Sequence, residues 1–528
     1  MIRAIVAALA IVGCFVPETR ALGAGEHELR FSNGDDVSTL NPVVSAETTV
    51  GLLSQLTMAY LVRYDARNAP VAELATVVPT RQNGGISSDG KTITWHLRPG
   101  VRWSDGVAFD ASDVAFTVGA IKDGANTVAS RDGFEIVQSV ETPDARTAIF
   151  RLSRPYAEFI PRYFGNAPGN PCILPRHAFS APGDLSKAAN NALPIGIGPF
   201  RYTRWLRGDR IEMERNPFYF RKRPKLERVT FVISADAAKA DLRLRTHDVD
   251  LVTKADPIAL ERARSDASLQ TLVTSSYRFV TLAFNTSAFP TNDLEVRSAL
   301  RMAVDRHAIL TKANLGLGVL AESFVPPQYA GSRRMVFHDY DPDVARRKLD
   351  AAGWVAGSDG VRTKDGKRLH IDIIAVNGAY ASTLELLRAA WSAIGVEVQT
   401  KTYDPKAYYA QPDGPAFGGH FSAALYSIAN FPKVDPNLIL GCDRVPPGGL
   451  NLSRFCRADV DAAIARYDGA LDAPVQARYL RDVADLVDRY IPFVVLSYTE
   501  NAFIFDRHLR GFSPNAITYF DEMLDVDR

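Results

Sequence analysis

The 528 residues lack the short motifs that announce most exported enzymes. No G-x-S-x-G elbow presents a nucleophilic serine. No C-x-x-C occurs, and the nine histidines are dispersed, none at the i, i+4 spacing that a zinc-protease helix face requires. Ser88-Asp89-Gly90-Lys91 satisfies S-x-x-K by letter, but it reads as a hairpin turn and no K-T-G follows. Gly196-Ile197-Gly198 lacks the third glycine and the lysine of a phosphate loop, and Pro199 removes an N–H that such a loop would use. The sequence therefore assigns no catalytic residue, no metal-ligand set and no cofactor. Blocks of one charge are missing as well: 61 Lys+Arg face 60 Asp+Glu, for a net charge of +1. A nucleic-acid binder would carry a clustered basic face, so none is expected as partner. The densest basic stretch, Arg221 to Arg228, reads as a solvated rim. Low-complexity tracts are absent, which leaves no long segment to read as disordered.

What is present begins with a basic Arg3 followed by the apolar run Ala4 to Val16, a break at Pro17 and the small residues Ala21 to Gly25. That is the layout of a secretory signal peptide over residues 1–24, too short to span a bilayer, and it implies a periplasmic protein. An alternative is carried by Ile11-Val12-Gly13-Cys14, which resembles a lipobox and would make Cys14 a lipid anchor. Export also bears on the other three cysteines. Cys442 and Cys456 bracket a loop rich in Pro and Gly, and an oxidising compartment allows a bridge between them worth about 3 kcal/mol. Cys172 reads as a buried small hydrophobe.

A chain of this length needs two or three lobes. Short strands and medium helices interleave throughout. Thr48–Leu61 has helical apolar spacing, and Ile93, Trp95 and Leu97 alternate after the Asp89-Gly90 turn. Asp110 caps a helix to about Lys122, Arg278–Asn285 reads as a strand crossing between lobes, and Asp293 caps a helix over Leu294–Lys312. The apolar run Phe493–Leu496 returns the chain toward the first lobe.

Several ordered stretches resemble one known group. Ser88 to Gly106 (SDGKTITWHLRPGVRWSDG) and its sequel Phe109 to Val114 are similar to the signature of the bacterial extracellular solute-binding proteins of family 5. Thr142-Pro143-Asp144, Gly196 to Phe200, Glu214 to Tyr219, Phe284-Asn285-Thr286, Ala351 to Trp354 and Asp435-Pro436 follow in the matching order. The resemblance implies an α/β Venus flytrap of the type II periplasmic-binding-protein class, with domain I at 26–59, 194–277 and 500–528, domain II at 60–193 and domain III at 278–499. Ligand would be enclosed between domains I and III, with little contribution from domain II. It further implies a monomer that hands a solute, of the peptide class, to the permease of an ABC importer. The competing readings are an exported hydrolase and a receptor of the same fold for an opine or a sugar conjugate.

The resemblance also names candidate ligand contacts: Glu47, Thr48 and Thr49 on one side, and Asn377, Gly378, Tyr380, Ser427, Asn430, Phe431 and Tyr498 on the other. Gly378 stands where dipeptide-binding relatives carry an Arg for the peptide carboxylate. Pro432 stands where they carry an Asp for its ammonium. With both charges missing, a short zwitterionic peptide held in the usual way is not expected. Asn377, Tyr380, Asn430 and Phe431 suit stacking and neutral hydrogen bonds, and Glu47 would either meet a cationic group or stay solvated.

Overall fold

A computed structural model describes residues 27–33, 36–179, 184–234, 236–320, 323–326, 340–378, 380–429, 435–520 and 523–527. The segment read as a signal peptide, with Cys14, lies outside the described residues, and so do Asn430, Phe431 and Pro432. Eleven strands form one continuous sheet. In chain order they are β1 (Glu28–Ser32), β2 (Phe200–Leu206), β3 (Arg210–Arg215), β4 (Arg228–Val232), β5 (Leu251–Val252) and β6 (Leu269–Phe284). Then come β7 (Val319–Leu320), β8 (His370–Val376), β9 (Glu397–Tyr403), β10 (Ala423–Ala429) and β11 (Phe493–Asp506). The spatial order is β9-β8-β10-β6-β11-β5-β1-β4-β3-β2, with β7 paired to β11. A separate three-stranded sheet is built from Thr92–His96, Val137–Asp144 and Thr147–Leu152.

β6 and β11 are the longest strands, at 16 and 14 residues, and they run antiparallel through both halves of the sheet. In its second half β6 is buried on both faces, which is why FVTLAF reads as an apolar run broken only by Thr281. Its side chains obey the two-residue period: Phe279 and Ala283 enter a core with Tyr408, Tyr467 and Val483. Val280, Leu282 and Phe284 enter another, on the opposite face, with Leu300, Trp391 and Leu425. The N-terminal strand β1 and the three-stranded sheet share a single core, in which Leu29 and Phe31 belong with Trp95 and Phe150. The strand-rich section is thereby fastened to the N-terminal half.

The family signature has a structural logic. Trp95 is fully buried in the Thr92–His96 strand. Trp103 donates its indole N–H to Asp113 Oδ2 (3.2 Å), and Asp113 closes a capping box with Asp110 on the helix Ala111–Lys122. Gly196-Ile197-Gly198 serves close packing: a Cβ on Gly196 would lie 2.0 Å from Thr57 O and one on Gly198 2.4 Å from Thr57 C, at the end of the helix Thr48–Thr57.

Three sequence expectations need correction. The helix expected to reach Leu61 stops at Thr57. The one expected over Leu294–Lys312 breaks after Met302, and Asp305 caps a fresh turn, its carboxylate accepting from Ala308 N. A side-chain oxygen three residues past a helix end offers the backbone another partner, and periodicity does not register it. The crossing strand begins at Leu269, not at Arg278, because its first half is polar enough to escape an apolar pattern. Cys442 and Cys456 form a disulfide, and Cys172 is free and buried, its thiol pushed up to about 12 by desolvation.

Arg30 and Asp250 join β1 to the segment before β5 as a fully buried bidentate pair, with N–O distances of 3.2 and 2.9 Å. Arg30→Met removes the guanidinium while that carboxylate stays buried, keeping the 2.8 Å hydrogen bond from Arg30 N. It should cost about 3–5 kcal/mol, read as a lower urea midpoint at unchanged slope.

Candidate functional site

The β6–β11 ladder shifts register twice, at Val280/Thr281 and, more widely, between Ser275 and Phe279. Ser275 faces Glu500 and Phe279 faces Tyr498, so Ser276, Tyr277 and Arg278 stand opposite Thr499 alone. Side-chain hydrogen bonds replace the ladder there. Thr499 Oγ1 reaches Ser276 Oγ (3.1 Å) and Arg278 O (3.3 Å), and Arg278 N donates to Ser276 Oγ (2.9 Å). The extra residues bend the strand and re-aim its side chains.

At this interruption lies a cavity of about 430 Å³. Arg278 and the β10 residues Tyr426 to Ala429 form one wall, with Tyr409 and Phe417 beside them. Pro42, Val43, Ala46 and Thr48, leading into the helix Thr48–Thr57, form the facing wall. Asp132, Phe134, Arg162 and Pro168 to Pro171 complete it. This third group belongs to the section expected to contribute little. Sharing a core with β1 holds that section against the N-terminal wall of the cavity.

The candidates fall unevenly. Thr48 and Ser427 line the cavity. Glu47 does not: its carboxylate accepts from Ser38 N (3.1 Å) and Ser38 Oγ (2.5 Å). Thr49 is buried, accepting from Asn33 Nδ2. Asn377 and Gly378 are exposed just beyond β8 and outside the lining. Tyr380 sits near the site without lining it; desolvation raises its phenol, opposed by the Ser427 hydroxyl and the Arg278 charge. Tyr498 is buried, its hydroxyl donating to Ser323 O (3.0 Å) and its ring edge-on to Phe279. Sequence reasoning missed Arg278, Arg162 and Tyr409. Arg278 was within reach, since a cation at the head of an apolar crossing strand is conspicuous.

A polar seam flanks the cavity where the two sides meet. Arg162 pairs with Asp435 (3.4 Å), which also accepts from Tyr156 OH (3.0 Å). Arg444 meets Asp132 (3.4 Å) and Glu135 (2.9 Å), Tyr467 OH donates to Glu158 (2.6 Å), and Arg154 pairs with Asp468 (3.2 Å). Asp468 carries the cost of this crowding. Burial first, then the charges of Asp435 and Glu158, push it up to about 7 against the pull of Arg154. Its Oδ1 has no hydrogen-bond partner among the described residues.

The family described as bacterial extracellular solute-binding proteins, family 5 Middle, matches residues 70–440, and the chain belongs to that family. The dipeptide-binding protein of Escherichia coli is 28% identical over 60% of this chain and 62% of its own length. The oligopeptide-binding protein AppA of Bacillus subtilis is 26% identical over 81% of this chain and 78% of its own. Among solved structures, NikZ from Campylobacter jejuni, in complex with Ni(L-His), superposes with a TM-score of 0.82 at 23% identity. It covers 96% of this chain and 100% of NikZ, a likeness of type II binding-protein fold.

A carboxyl group whose pKa rises on folding binds more protons folded than unfolded between about pH 4 and 7, so stability falls as pH rises through that window. Asp468→Asn should therefore flatten the decline in melting temperature between pH 5 and 8. At pH 8 it should gain about 1–3 kcal/mol over the parent, and at pH 5 much less, in parallel thermal melts.

Proposed function

We propose that this family 5 solute-binding protein captures a small peptide-like solute in the cavity beside Arg278 and Ser427 and delivers it to the permease of an ABC importer. The observation that carries the reading is the position of the cavity, walled from both sides of the wider irregularity in the two longest described strands of the sheet. A volume of about 430 Å³ falls within the roughly 300–1,000 Å³ of small-molecule sites, so the enclosed ligand is short. The relatives are named for dipeptides and oligopeptides, which supports the peptide class.

In this reading domain I comprises 26–59, 194–277 and 500–528, domain II 60–193 and domain III 278–499. The shared core makes I and II one jaw, and domain III is the other. Ligand favours the closed form by its differential affinity for the two states, and the closed form docks on the permease. The mature chain acts in the periplasm after removal of residues 1–24. Binding without turnover accounts for the cavity, which needs only positioned contacts.

Purified protein stripped of ligand by partial unfolding and refolded should gain about 4 kcal/mol from a peptide present at a thousand times its dissociation constant, visible as a shift in melting temperature. Ala429→Trp, which fills the cavity from β10, should keep the unliganded melting temperature and lose the shift. A shift retained by Ala429→Trp would place the ligand elsewhere.

A further inference from the structure

Three charged side chains line the cavity, and their partners set them apart. Arg162 has Asp435 and Asp132 has Arg444, so each is answered within the seam. Arg278 is different. Its guanidinium donates to the Ser427 hydroxyl (3.2 Å), and among the described residues no carboxylate lies within ion-pair distance of it. The surroundings are apolar or phenolic: Tyr409, Phe417 and Tyr426 share its wall. Arg278 is half-buried at the cavity wall, and a planar guanidinium is shaped to hold a planar carboxylate by two parallel hydrogen bonds. Across the cavity, Ala46 and Thr48 bring the start of the helix Thr48–Thr57 to the same space, with no side-chain hydrogen bond capping it. Both features favour negative charge.

Resting on the binding function above, we propose that Arg278, with Ser427 beside it, is a carboxylate-binding subsite and that the captured solute carries a free carboxylate. Ser427 holds the guanidinium in place and leaves its remaining N–H groups for the ligand. The position vacated by Gly378 is thus not where the acid group is read in this chain; Gly378 is exposed and outside the cavity.

The test uses matched probes in the thermal-shift assay: dipeptides, tripeptides and aromatic acids, each beside its carboxamide twin, together with neutral oligosaccharides. At least one free acid should bind roughly 10- to 100-fold more tightly than its amide, the span expected of a charged hydrogen-bonded contact. Arg278→Gln should bring acid and amide to equal affinity while leaving the amide's affinity and the unliganded melting temperature in place. Arg278→Lys, which keeps the charge but not the fork, should recover part of the preference and shows that loss in the Gln variant is not misfolding. Equal binding of acid and amide by the parent protein, or an acid preference that survives Arg278→Gln, overturns the subsite and leaves the binding function standing. Stabilisation by neutral probes alone has the same meaning. Silence from the entire panel overturns both.

Discussion

Two strands tie the molecule together. β6 and β11 cross from one half of the sheet to the other as an antiparallel pair, and the cavity opens beside them. A ladder of 14 to 16 residues with unbroken register would be a stiff ribbon. Here three residues oppose one at Thr499, and side-chain hydroxyls take over from backbone pairing. Such a site can absorb changes in φ and ψ with little loss of hydrogen bonding, which is what a hinge requires. The cavity and the point of bending therefore coincide. On the proposed reading, a ligand held at Arg278 would touch β6 beside this irregularity.

Closure needs an energy balance in which neither state wins outright without ligand. The apolar side chains around the cavity favour burial, whereas the seam beside it does not clearly pay. Its ion pairs are partly exposed or crowded with like charges: Arg154 is 43% exposed, and Asp435, Glu158 and Asp468 press on one another. Surface pairs contribute about 0–1 kcal/mol, and a cluster of buried acids subtracts from that. The seam aligns the two sides while adding little net attraction, which leaves the ligand to tip the equilibrium.

Much of the fold was legible because local chemistry repeats there. Asp110 and Asp113 announce a helix by capping, and the structure starts it at Ala111. Asp341-Pro342 opens a helix at Pro342 in the same way. The Asp89-Gly90 turn leads into β-alternation that ends in buried Ile93 and Trp95. The glycines at 196 and 198 were correctly set aside as a phosphate loop, although their packing against Thr57 depends on a contact some 140 residues distant and no local pattern shows it. The polar first half of β6 and the break at Ala303–Asp305 were illegible for a like reason: tertiary pairing in the first, a competing cap in the second.

The site was harder to read than the fold, and for a physical reason. A transferred motif carries a side chain's place in the chain, but not whether a neighbour already satisfies it. Glu47 looked available and is occupied by Ser38; Tyr498 looked like a ligand contact and is committed to Ser323. Arg278 looked like the first residue of a strand and, among the described residues, meets a hydroxyl and no carboxylate. Loss of an arginine at one position and of an acid at another argued against a short zwitterionic peptide held in the usual way, yet that inference assumed that charge recognition stays where relatives keep it. Electrostatics imposes no such rule: the field at a ligand depends on where charges sit in space, and the guanidinium that lines this cavity comes from the crossing strand, not from the loop after β8. What changes with its origin is the coupling. An arginine on a peripheral loop would couple a ligand to that loop, whereas the proposed subsite beside Thr499 would couple it to the two strands shared by both halves of the sheet.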